Sequence, residues 1–163
     1  MQEWRWHIPT ADGHQIYGCT NSLESVSPDR AIILVHGLTG NMNEYHHKTA
    51  AHFFIKHKYD VIRFNLYSDM PKSRSLSACT LQTHAADLNT VLEQKAKTYR
   101  KIFLAGHSYG GPTIMIAQPR RAAVVISPVN SDAVWAVNLG LMSEKSVSTM
   151  VQQKGPPFLS GPS

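Results

Sequence analysis

Lys101-Ile102-Phe103-Leu104-Ala105-Gly106-His107-Ser108-Tyr109-Gly110-Gly111-Pro112 is the stretch on which the reading of the chain turns. Ile102 to Ala105 form an apolar run of strand length and strand character. Pro112 suits the first turn of a helix, where a missing N–H costs nothing. Between strand and helix, Gly-His-Ser-Tyr-Gly places Ser108 on a turn too sharp for ordinary side chains, and Gly106 and Gly110 let the two elements approach closely. This is a G-x-S-x-G pattern with a strand before it and a helix after it, the context that makes a serine hydroxyl a candidate nucleophile. The Tyr109 N–H, at the helix start, then faces any negative charge that develops on a substrate oxygen.

A second run lies upstream. Ala31-Ile32-Ile33-Leu34-Val35 is apolar on both faces, as a central parallel strand must be, and it ends in His36-Gly37-Leu38-Thr39-Gly40-Asn41. With both stretches in view, the chain resembles the α/β-hydrolase family of esterases, lipases and thioesterases. The resemblance covers the chain up to about Val129. It implies that the loop after the upstream strand supplies a second oxyanion N–H, that of Leu38 or, failing that, Thr39. It gives Ser108 the nucleophile's role and Leu38 and Tyr109 the oxyanion hole. His36, Gly37, Gly106, His107 and Gly110 become the supporting residues of the two motifs.

The remaining elements alternate. Trp4, Trp6 and Ile8 alternate with polar residues and predict a half-buried strand, followed by a turn at Ala11-Asp12-Gly13-His14 and a weaker strand from Gln15 to Cys19. Asn43 to Lys58 reads as a helix, Tyr59 to Leu66 as a strand, Thr80 to Lys97 as an amphipathic helix, and Ala122 to Ser127 as a sixth strand. The expected fold class is therefore α/β: a mostly parallel doubly wound sheet with an antiparallel N-terminal hairpin, lacking the family's C-terminal strands. Residues 1–129 form the core, and 130–163 are either the start of a cap or a segment packed onto the sheet, ending in a Pro/Gly-rich tail. With no strand to pair its far side, the sixth strand would offer an open edge, which predicts homo-oligomerisation or cover from residues 130–153.

The catalytic set is incomplete on these residues. The resemblance calls for an acid and then a histidine after the nucleophile, yet all nine histidines, ending with His107, precede Ser108. Asp132 is the candidate acid, with helix capping as its ordinary alternative. Three functional readings follow: a serine hydrolase for a carboxylic ester or thioester, expected to be an incomplete chain that holds the N-terminal two-thirds of the family's fold; a non-catalytic binding protein on a degenerate hydrolase; and an acyltransferase using the same site. A small-molecule acyl substrate is the expected partner.

Composition narrows the field further. The net charge of +5 is scattered rather than gathered into a stripe, which argues against nucleic acid. No run is long enough to span a membrane, the first residues lack the apolar core of a signal peptide, and the two cysteines have no metal spacing. The expectation is a cytoplasmic protein with free thiols, no cofactor and no metal. His46, His47, His52 and His57 on the first helix are read as surface or half-buried residues, with His46 and His47 pointing in different directions. Asp69 and Asp87 are read as loop and helix-surface residues.

Overall fold

The computed structural model describes residues 1–23 and 29–117, together with the backbone of 122–127. Its strands are β1 (Gln2–Pro9), β2 (Gln15–Ser22), β3 (Arg30–Val35), β4 (Asp60–Phe64), β5 (Lys101–His107) and β6 (Ala122–Ser127), and its helices are α1 (Tyr45–Lys56), α2 (Leu81–Lys95) and α3 (Gly110–Ala117). One sheet holds all six strands in the order β1-β2-β4-β3-β5-β6. β1 pairs antiparallel with β2, and β2 antiparallel with β4. β4, β3, β5 and β6 run parallel. This is the α/β sheet with an N-terminal hairpin that the alternation of elements predicts.

The period of a strand divides the core in two. On β3 and β5, Ile33, Val35, Ile102 and Leu104 face Ala85, Leu88 and Val91 of α2 and Ile114 and Ala117 of α3. Their neighbours Ile32, Leu34 and Ala105 face Ala51, Phe54 and Ile55 of α1. Ala31 to Val35 are wholly buried, as a strand covered on both faces requires. The parallel strands thus all point their carboxyl ends toward one edge of the sheet, where the loops after β3, β4 and β5 gather.

Some elements differ from their sequence reading. α1 starts at Tyr45, with Glu44 rather than Asn43 at the cap position and no side-chain capping bond. α2 begins where Thr80 caps it, its side chain accepting from the Thr83 N–H in a reciprocal capping box. Trp4 is 49% exposed and does not share the burial of Ile8; near the start of an edge strand, it is covered by no element among the described residues. Asp87 is not a helix-surface residue. It is 3% exposed and takes a two-pronged ion pair from Arg74, at 2.8 and 3.1 Å. Arg74 also reaches Asp12 at 2.7 Å, so the β1–β2 turn, the loop before α2 and α2 itself are joined through one guanidinium. Asp69, by contrast, is exposed in its loop. Asp132 and the whole of 130–163 lie outside the described residues, as does the cover or pairing expected for β6.

Candidate active site

The register of the parallel pair places Val35 of β3 opposite Gly106 of β5, so the turns that follow them emerge side by side. Ser108 sits between β5 and α3 with φ 51, in the left-handed region that costs a residue with a side chain roughly a kcal/mol or more. Two glycines permit that turn. A Cβ on Gly106 would lie 2.7 Å from the Gly110 backbone, and one on Gly110 would collide with the Val35 carbonyl oxygen. Strand β5, helix α3 and the end of β3 are therefore in backbone contact, which only glycine allows.

The turn after β3 leans on the same place. A Cβ on Gly37 would stand 3.1 Å from the Ser108 Cβ and 3.3 Å from His107 Nδ1. Thr39 also has positive φ, and the Gly40 N–H returns to the Gly37 carbonyl at 3.1 Å. Leu38, at the tip, is 53% exposed. Among the described residues, no backbone carbonyl accepts from the Leu38 or Tyr109 N–H. The structure thus brings Gly37, Leu38, Gly106, His107, Ser108, Tyr109 and Gly110 to one edge.

His36 is fully buried and has both ring nitrogens engaged. Nε2 stands 3.0 Å from the Leu66 N–H and accepts from it, which leaves Nδ1 protonated to donate to the Gly37 carbonyl at 2.8 Å. Burial lowers its pKa despite the carbonyl's help. A ring so committed ties the end of β3 to the residues after β4 and has no lone pair for proton transfer. Tyr67 packs edge-on against it and donates its hydroxyl to the same Gly37 carbonyl at 3.3 Å.

Tyr67 also helps line a concavity of about 300 Å³ with Gly40, Asn41, Asn65, Ser68, Asp69, Ser75 and Leu76. The loop after β4 thus forms a rim beside the Gly37 turn, and Ser108 is not among the lining residues.

Three histidines escaped the sequence reading. His84 on α2 is buried between Tyr67 and Tyr109, with ring centroids 5.8 and 5.7 Å away. Burial first, and then the positive charge of Arg74, push its pKa down to about 4. His47 is wholly buried, neither at the surface nor half-buried as read from the sequence, and desolvation drives its pKa down to about 2. Its ring meets that of His46 edge-on at 4.4 Å, and His46 in turn lies 4.6 Å from His107. His46 and His47 therefore converge instead of pointing apart. Helical spacing alone concealed this, because His107 at the end of β5 packs against the first turn of α1. His52 and His57 are exposed, as expected.

A family model described as alpha/beta hydrolase fold matches residues 30–140. The chain belongs to this family. Solved structures agree on the fold. An esterase of Pyrococcus furiosus, Pf2001, is 18% identical with TM-score 0.60 over 70% of this chain and 45% of its own. Mouse alpha/beta hydrolase domain-containing protein 10 is 23% identical with TM-score 0.61, over 76% and 48%. XC6422 of Xanthomonas campestris, described as a serine hydrolase without a lid, is 14% identical with TM-score 0.62, over 94% and 95%. The α/β-hydrolase chain thus spans less than half the length of the first two and nearly all of the third. No curated protein matches it by sequence. No helix among the described residues is long and apolar enough to cross a membrane.

Proposed function

We propose that this α/β-hydrolase chain carries a serine acyl-transfer site for a small carboxylic ester or thioester, with Ser108 as nucleophile and the Leu38 and Tyr109 N–H groups as the oxyanion hole. The observation that supports this most is the Ser108 turn: a serine in left-handed conformation, between a parallel strand and a helix, with glycines where backbones touch. Such a turn stores strain, and strain of this kind gathers at functional sites. The Ser108 hydroxyl would attack the acyl carbonyl while the two N–H groups take the charge on its oxygen; the ester or thioester bond then breaks, and the departing alcohol or thiol carries off the serine's proton. Hydrolysis and transfer to another acceptor differ only in what removes the acyl group. Both cysteines are free, which favours a reducing compartment such as the cytoplasm.

Activation of the nucleophile is the weak step. His36 has no free nitrogen, and every histidine of the chain precedes Ser108. Loss of the base in a serine triad lowers turnover by about a millionfold, whereas oxyanion donors and binding alone retain roughly a thousandfold over water. Slow, Ser108-dependent acylation is the expected behaviour. Fluorophosphonate labelling of this chain and of Ser108→Ala, with folding of both checked by circular dichroism, tests it. Faint labelling lost in Ser108→Ala supports the reading. Labelling that persists in Ser108→Ala, or none in either, overturns it. Rapid Ser108-dependent labelling would keep the nucleophile and point to a base beside the turn, with His107 the first to replace.

A further inference from the structure

We propose that Glu44, His46 and His47 form a binding site for one divalent transition-metal cation of the zinc class, at the start of α1. One ligand atom from each of the three lies within 4.8 Å of the other two. His46 Nε2 and Glu44 Oε2 are 3.9 Å apart. The donor atoms of a tetrahedral zinc site stand roughly 3.4 Å apart, so small side-chain rotations close the set around an ion. Two imidazoles and a carboxylate are a donor set that zinc accepts, with a fourth position left for water or another ligand.

A second observation points to a ligand. Both nitrogens of the wholly buried His47 lack a hydrogen-bond partner among the described residues, and so does Glu44 Oε2. An unmet buried polar group costs about 1–3 kcal/mol, so this pair is costly as it stands. A cation takes one His47 nitrogen and the Glu44 oxygen together, which relieves both residues at once. The carboxylate lies against the backbone of Gly40, where a Cβ would meet Glu44 Oε2. His107 Nδ1, likewise unpartnered among the described residues, lies on a ring 4.6 Å from that of His46. An ion here would sit one ring away from the Ser108 turn. The site is independent of the acyl chemistry proposed for Ser108, since its ligands belong to α1 and its cap.

Equilibrium dialysis of the untagged full chain against Zn²⁺, followed by elemental analysis, tests it. Co²⁺ substitution adds a visible spectrum that reports coordination. The expected result is one equivalent retained, with binding weakened more than about tenfold in both Glu44→Gln and His46→Ala. His52→Ala and His57→Ala, which change exposed histidines of the same helix, should bind as the parent does. Zn²⁺ should also raise the melting temperature of the parent but not of Glu44→Gln. Retention of no metal, or equal retention in Glu44→Gln and His46→Ala with both variants folded, overturns the site.

Discussion

His36 and His47 are both sealed from solvent and stand on neighbouring elements of the same sheet edge, yet they are opposites in their bonding. His36 uses one nitrogen to accept from Leu66 and the other to donate to Gly37. His47 uses neither among the described residues. Burial drives both toward the neutral ring. The difference is what each neutral ring is for. At His36 the imidazole is a bracket that fixes where the turn after β3 leaves the sheet, and so where Leu38 lies relative to Ser108. At His47 the same group contributes nothing that an apolar side chain would not, until something arrives to take its lone pair. A buried polar side chain with full partners specifies structure, and one without them marks a place where the described contacts are incomplete.

The largest loss of stability is expected at His36. His36→Ala leaves the Leu66 N–H buried and unmet and opens a cavity, and the expected cost is about 3 kcal/mol. Urea unfolding should show the midpoint falling with the slope unchanged. A loss of only a few tenths would mean that the bracket is replaceable by water.

A pH-dependent effect comes from His84, which is buried like the other two and lies against Tyr67 and Tyr109. Its pKa falls from an ordinary 6.5 to about 4 on folding. The unfolded chain therefore takes up this proton first as the solution is acidified. The contribution is fully present above pH 6.5 and is lost as the pH falls toward 4, at a rate of at most about 1.4 kcal/mol per pH unit. Thermal melts of the parent and of His84→Gln over that window should diverge, with the variant's profile the flatter. Parallel profiles would show that His84 becomes charged in the folded protein.

The smallest change is expected at His47. In buffer containing a chelator, His47→Leu removes two unmet nitrogens and keeps most of the volume, so stability should stay within about 1 kcal/mol of the parent or rise. A loss as large as that at His36 would mean that His47 holds a hydrogen bond, and the contrast between the two residues would vanish.

Much of the fold was legible in the residue pattern. Runs such as Ala31 to Val35 and Ile102 to Ala105 are apolar on both faces, and only a strand between two helical layers uses such a run. Gly106, Ser108 and Gly110 were legible too, because a tight strand–turn–helix connection needs small residues at fixed offsets. Both are local rules of period and sterics, readable over a dozen residues. Asp87 and His47 were misread for the converse reason. Their spacing on a helix says which side they take, but not what covers that side. Arg74 reaches Asp87 from a loop, and His107 at the end of β5, distant in sequence, meets His46 on α1.

The sequence by itself determined the order of strands and helices, the two glycine-bounded turns and the serine between them, since backbone sterics and hydrophobic period are properties of short segments. Only the tertiary structure decided which polar groups meet. Hydrogen bonding and desolvation depend on distances of a few ångströms between residues as far apart as His36 and Leu66 or Arg74 and Asp12. No local pattern carries those distances. They exist once the parallel sheet has brought its loops to a common edge, and there the same residue type becomes a bracket at position 36 and, among the described residues, a ring with no hydrogen bond at position 47.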